Sequence, residues 1–153
     1  MLKEGDSAPN FSLKGSDGKI HTLKEFSGKF LVLYFYPKDD TPGCTIEAKT
    51  FNKRNSDFRA IGAEVVGISK DSFESHCSFR DKYNLEFLLL SDPTNSTIKA
   101  YGAYGDRGIF GMGTLRNTYL IGKDGTLLKI FENVSPDKNP QELISAIKSL
   151  NSK

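Results

Sequence analysis

The stretch "YPKDDTPGCTIEA", Tyr36 to Ala48, decides how the chain is read. It closes the apolar run "FLVLYFY", Phe30 to Tyr36, with two prolines and a glycine, and a helical pattern follows at once. An apolar run of that length bounded by turn residues reads as a buried strand. Proline suits the first helical position and threonine the position before it, so Pro42 starts a helix with Thr41 as its N-cap. Cys44 then lies in the first turn, where unpaired N–H groups and the positive end of the helix dipole favour an anion. A thiolate is stabilised there over a thiol, and the thiolate is the nucleophilic form. Gly43, without a Cβ, leaves the backbone beside the sulfur open to a small substrate. The competing reading is a small buried hydrophobe, the usual fate of a free cysteine; polar, turn-forming surroundings argue against it.

Outward from this junction, short apolar runs alternate with helical patterns, the sign of an α/β domain built from crossover units. The helix from Pro42 runs to about Ile61, with Ile46, Phe51, Phe58 and Ile61 as its inward contacts. "AEVVGIS", Ala63 to Ser69, is a second buried strand, and Asp71 to Tyr83 a second helix capped by Asp71 or Ser72. A third strand covers Phe87 to Leu90, and a short helix ends near Gly102. "RNTYLIGKDGTLLKIFENV" is two strands joined through Lys123-Asp124-Gly125, with Asp-Gly supplying positive φ values. Leu143, Ile144, Ile147 and Leu150 recur at helical spacing near the end. Ahead of the first buried strand, "FSLKGSDGKIHTL" is a hairpin turning at Ser16-Asp17-Gly18. The expected architecture is a central mixed sheet flanked by helices, with an extra N-terminal hairpin, in one domain spanning residues 1–153.

Composition narrows the function. A net charge of +2 gives no electrostatic reason to expect nucleic acid or a membrane surface as partner. No apolar run approaches the roughly 20 residues that span a bilayer, and "MLKEGDSAPN" lacks the pattern of a secretion signal. Two cysteines in such a chain fit a reducing compartment, where a disulfide is transient and catalytic, so a cytoplasmic location is expected. The glycines of "GIFGMG" have the wrong spacing for a phosphate cradle and read as a mobile loop. His21 and His76 with two cysteines lack the spacing of a zinc site, and His76 reads as a structural hydrogen-bonding residue. No metal or bound cofactor is expected.

The pattern Pro37-x-x-x-Thr41-x-x-Cys44 is the active-site motif of peroxiredoxins, and "YFYPKDDTPGCTIEA" resembles the Q-type subfamily, also called bacterioferritin comigratory proteins. "GDSAPNFSL", "SHCSFRDKYNLEFLLLSD" and "LRNTYLIGKDG" extend the resemblance over nearly the whole chain. It implies a thioredoxin-like fold and a thiol peroxidase that reduces hydrogen peroxide and organic hydroperoxides. Carried over residue by residue, Cys44 is the peroxidatic nucleophile, Thr41 holds the peroxide, and Pro37 shields the thiolate from water. Arg116 stabilises thiolate and transition state, and Glu47 orients Arg116. The resemblance also implies thioredoxin or a similar thiol as reductant, and a monomer or weak homodimer.

One departure matters. Many members carry a resolving cysteine five residues after the peroxidatic one, where this chain has Lys49. Others place it in the helix matching Asp71 to Tyr83, after the phenylalanine of a Ser-His-x-x-Phe segment, a position that corresponds to Arg80. Cys77 stands three residues earlier, one helical turn away on roughly the same side. It is expected to resolve Cys44 through an intramolecular disulfide; the competing reading is a packing residue beside Phe73, His76 and Tyr83. If Cys77 does not resolve, an external thiol must. A thioredoxin-type exchanger is disfavoured by the missing Cys-x-x-Cys, and a non-catalytic redox sensor would oxidise once and stall.

Overall fold

The computed structural model describes residues 2–152. The apolar run at Phe30–Phe35 forms strand β3, buried along its whole length because it is covered on both faces. Side chains alternate across a strand, so Val32, Tyr34 and Tyr36 enter one core and Leu31, Leu33 and Phe35 the other. Seven strands make the main sheet: β1 (Ser12–Gly15), β2 (Ile20–Thr22), β3, β4 (Ala63–Ser69), β5 (Leu88–Ser91), β8 (Thr118–Ile121) and β9 (Leu127–Phe131), in the order β2-β1-β5-β4-β3-β8-β9. β3 pairs parallel with β4, and β4 with β5, while β1, β2, β8 and β9 pair antiparallel, as a mixed sheet requires.

Helices α1 (Pro42–Lys53), α2 (Asn55–Ala60), α3 (Phe73–Tyr83) and α5 (Asn139–Asn151) supply Phe51, Phe58, Phe79 and Ile144 to the first core. Helix α4 (Ser96–Ala100) supplies Ile98 to the second. The front hairpin, the two parallel crossovers and the closing helix are therefore where the sequence places them. Among the described residues, no helix is long and apolar enough to cross a membrane.

Four details differ from expectation. The helix expected over 42–61 is two helices meeting at Arg54, where φ and ψ of −99° and 5° interrupt the ladder. Ile46 faces outward at 49 % exposure; the buried positions of α1 are Cys44, Glu47, Ala48 and Phe51, a stripe at helical spacing that includes a carboxylate. In the turn between β8 and β9 only Gly125 has positive φ, because Asp124 instead accepts a hydrogen bond from the Thr126 N–H. The glycine-rich stretch read as a loop forms a second hairpin, β6 (Tyr104–Asp106) with β7 (Met112–Thr114).

Candidate active site

Strand β3 ends at Phe35, and the chain needs six residues, Tyr36 to Thr41, to turn into α1. Asp40 makes that turn at a φ of 57°, the left-handed region that aspartate tolerates better than most residues. The first helical bond of α1 is from Thr45 N–H to the Thr41 carbonyl, 2.8 Å, so the N–H groups of Gly43 and Cys44 have no partner within the helix. Thr41 occupies the N-cap position, yet its hydroxyl makes no capping bond. It donates to the Lys38 carbonyl, 2.8 Å away, which closes the loop on itself.

Cys44 is only 1 % exposed and packs within the first core, so the burial reading is right about its place. The sulfur nevertheless lines a cleft of about 400 Å³ together with Pro37, Thr41, Gly43 and Arg116. A hollow of about 450 Å³ elsewhere, beside Tyr101 and Tyr119, is lined by no thiol.

Arg116 stands between β7 and β8. Its backbone is fixed by the Val134 N–H donating to its carbonyl at 2.9 Å. The guanidinium divides its donors: Nη1 to Glu47 Oε1 at 2.8 Å and Nη2 to Cys44 Sγ at 3.6 Å. Burial works against its charge, but Glu47 and Cys44 outweigh that and hold its pKa above the ordinary value. Glu47 is wholly buried, and burial pushes its pKa up to about 7 even though Arg116 pulls it down. Its Oε2 has no hydrogen-bond partner, nor does the buried hydroxyl of Tyr34. Gly43 makes this geometry possible, because a Cβ there would stand 2.9 Å from Arg116 Nη2. The sequence pointed to Gly43 for substrate access; its closer contact is with the arginine.

The loop before Thr41 is tied to α3. His76 is fully buried, with Nδ1 2.7 Å from Asp39 Oδ2 and Nε2 3.0 Å from the Leu90 carbonyl. The ring therefore bridges the Asp39 side chain and a backbone carbonyl of β5. Tyr36 and Ser75 donate to the same carboxylate, and the Asp39 N–H donates to Asp71. Among the described residues, Asp39, Asp71 and His76 are the one group with metal-ligand chemistry, and these hydrogen bonds already occupy its atoms. A second, exposed tie runs from Asp40 to Lys82 and Tyr83. The expectation for His76 holds; Asp39 escaped notice because nothing in "PKDDT" marks one aspartate as buried.

The structure thus gathers Pro37, Thr41, Cys44 and Arg116 at one cleft, with Glu47 buried behind Arg116. Cys77 lies outside it on α3, half-buried, with Sγ 3.5 Å from the Ser16 carbonyl. Arg80 Nη1 donates to the same carbonyl at 2.5 Å, so residues 77 and 80 do share one side of the helix. Both cysteines are free. Lys49 lies with its ammonium 5.7 Å from the centre of the Tyr83 ring.

The AhpC/TSA family matches residues 5–130. The chain is 42 % identical over 149 residues to the putative peroxiredoxin bcp of Helicobacter pylori, covering 95 % of this chain and 98 % of that one. It is 40 % identical over 155 residues to peroxiredoxin Bcp of Bacillus subtilis, covering 99 % of both. A crystal structure of a cysteine-to-serine mutant of Xylella fastidiosa PrxQ superposes with a TM-score of 0.94 at 32 % identity, covering 99 % of this chain and 98 % of that one. Structures concerned with the alkyl peroxide reduction activity of Xanthomonas campestris bacterioferritin comigratory protein match at a TM-score of 0.86 and 32 % identity, covering 91 % and 90 %. The mixed sheet with its helices and front hairpin is the thioredoxin-like peroxiredoxin fold.

Proposed function

The chain belongs to the AhpC/TSA family and is a peroxiredoxin thiol peroxidase; on that premise we propose that Cys44 is its peroxidatic nucleophile, with Cys77 resolving and a thioredoxin-like dithiol recycling the enzyme. The observation that carries the assignment is the shared guanidinium, whose Nη2 faces Cys44 Sγ while Nη1 is anchored on buried Glu47. A peroxide enters with its terminal oxygen toward the thiolate, held by the Thr41 hydroxyl and the free N–H groups of the first turn, with Pro37 excluding water. The sulfur's electron pair forms the S–O bond as the O–O bond breaks. Charge moves from sulfur to the departing oxygen, where Arg116 is a preorganised donor, and a proton from solvent completes the alcohol or water. Cys44 is left as a sulfenic acid.

Cys77 then attacks the sulfenic sulfur as a thiolate; the S–S bond forms as the S–O bond breaks, and the departing hydroxide takes a proton from solvent and leaves as water. A disulfide needs its two Cα atoms within about 7 Å. Both cysteines begin in helices, so resolution proceeds through local unwinding of α1, α3 or both. A thioredoxin-like dithiol reduces the bridge by exchange, returning both thiols. The position of Cys77 outside the cleft, bonded to Ser16, favours one alternative: an external thiol resolves the sulfenic acid and Cys77 only packs. The variant Cys77→Ser separates the two. With thioredoxin as donor it reacts with its first peroxide, accumulates sulfenic and sulfinic acid and stops turning over. Turnover at the parental rate would establish the one-cysteine route. Free thiols and a transient disulfide suit a reducing compartment, and a cytoplasmic placement is proposed on that ground.

A further inference from the structure

Cys77 and Arg80 share one acceptor. The Cys77 thiol donates to the Ser16 carbonyl at 3.5 Å, and Arg80 Nη1 donates to the same oxygen at 2.5 Å. That oxygen is firmly placed. Ser16 is 4 % exposed in the turn of the front hairpin; its N–H donates to the Leu89 carbonyl at 2.8 Å and its hydroxyl accepts from the Leu89 N–H at 3.2 Å, so the turn is tied to β5. The next residue, Asp17, lies 2.9 Å from His21 Nε2 and accepts from the Lys19 N–H at 3.0 Å.

The shared oxygen sets a problem for the resolving step. A thiol can donate to a carbonyl, but the thiolate that attacks a sulfenic acid has no hydrogen to give and is repelled by the oxygen's partial negative charge. Without another donor, the departing sulfur would also orphan a buried acceptor, which is costly. Arg80 answers both needs. Its hydrogen bond keeps the carbonyl paired after the sulfur goes, and its charge attracts the thiolate across one helical turn. The attraction is mutual: Asp81 chiefly, with Cys77 and Asp17 adding to it, holds the Arg80 pKa above its ordinary value. Asp81 does not cancel the guanidinium's charge, because that carboxylate is 70 % exposed and screened by water.

We propose that Arg80 is a positioning residue for resolution, holding the Ser16 carbonyl and stabilising the Cys77 thiolate as the thiol proton passes to solvent. The sulfur then leaves the front hairpin and bonds to Cys44, with the S–O bond breaking as described above. Reduction of peroxide at Cys44 uses no part of this, since Arg80 lines none of the cleft. The inference rests on the reading of Cys77 as resolver and gives that step a second residue.

The test follows one turnover of the reduced protein with one equivalent of hydrogen peroxide, quenched at intervals with reagents that trap thiols and sulfenic acid, and read by mass. Sulfenic acid at Cys44 should form at the parental rate in Arg80→Gln and Arg80→Lys, which shows in the same sample that the site is folded. Conversion to the Cys44–Cys77 disulfide should be about tenfold slower in Arg80→Gln, which keeps a donor for the carbonyl but loses the charge; that is the scale of one charge-assisted interaction in a partly exposed site. Arg80→Lys should restore most of the rate, and the gap between parent and Arg80→Gln should narrow as salt rises. A merely structural role predicts the opposite sign: a loosened α3 unwinds more readily, so the disulfide would form as fast as in the parent or faster. That result, or no recovery in Arg80→Lys, would overturn the proposal and leave Cys77 as resolver. A parent that forms no Cys44–Cys77 disulfide would overturn the resolver reading and the inference with it.

Discussion

Gly43 and Arg116 share one small space: a Cβ on residue 43 would stand 2.9 Å from the Nη2 that faces the Cys44 sulfur at 3.6 Å. The glycine sits in the first turn of α1 at an ordinary helical φ, so nothing in its backbone requires glycine. The requirement comes from the guanidinium.

Gly43→Ala is therefore expected to separate activity from stability. Alanine is favoured over glycine in a helix by up to about 1 kcal/mol, so urea unfolding should show stability equal to the parent's or higher. The added methyl displaces Nη2 from the sulfur, and rapid-mixing measurement of Cys44 oxidation should show a rate about tenfold lower. Arg116→Met removes the donor outright and should slow the same step by roughly a hundredfold or more. A parental rate in Gly43→Ala would mean that the arginine does not act from the position seen here.

Glu47 sets a pH dependence whose sign follows from burial. Its folded pKa, pushed up to about 7, lies above the 4.5 of an ordinary glutamate, so between those values the folded state holds a proton that the unfolded state has lost. Stability from this group therefore falls as pH rises from about 4.5 to about 7 and is level outside that window. Glu47→Gln removes the titration. Its stability relative to the parent should climb across the window in urea titrations at several pH values, and a difference that stays constant with pH would contradict the buried carboxyl.

The two aspartates of the loop before α1 should differ sharply in what they contribute. Asp39 is buried and takes hydrogen bonds from Tyr36 and Ser75 beside the buried His76 ring, so losing a carboxylate oxygen leaves buried polar groups without a partner. Asp39→Asn is expected to cost about 2 to 3 kcal/mol in urea unfolding. Asp40 is exposed, its ties to Lys82 and Tyr83 face solvent, and Asp40→Asn should be far milder. Equal losses would mean that the buried network does not hold the loop.

The legible parts of this chain are those where one residue type reports one environment. The run Phe30–Phe35 announces a strand covered on both faces, and Thr41-Pro42 announces where the next helix begins. The hydrophobic pattern misleads on α1 because the site interrupts it. Glu47 takes an inward position, since Arg116 satisfies half of its carboxylate, and Ile46, the residue a hydrophobic count would turn inward, is left facing out. The break at Arg54 is hidden for another reason: Phe51 and Phe58 stay buried on either side of it. The β6–β7 hairpin is hidden by glycines, which carry no face to read. Arg116 lies 72 residues from Cys44, and no local pattern links them; the family motif suggested the pair and the geometry brings it together.

The central claim, that peroxide oxidises Cys44 and that Cys77 resolves it, is tested most directly by the mass of the protein after one equivalent of peroxide, followed by peptide mapping. The account predicts a loss of two hydrogens and a cross-linked peptide pair containing Cys44 and Cys77. It also predicts that Cys44→Ser gives neither product. A lasting gain of one oxygen on Cys44 would contradict the role of Cys77, and an unmodified Cys44 beside oxidation elsewhere would contradict the site itself.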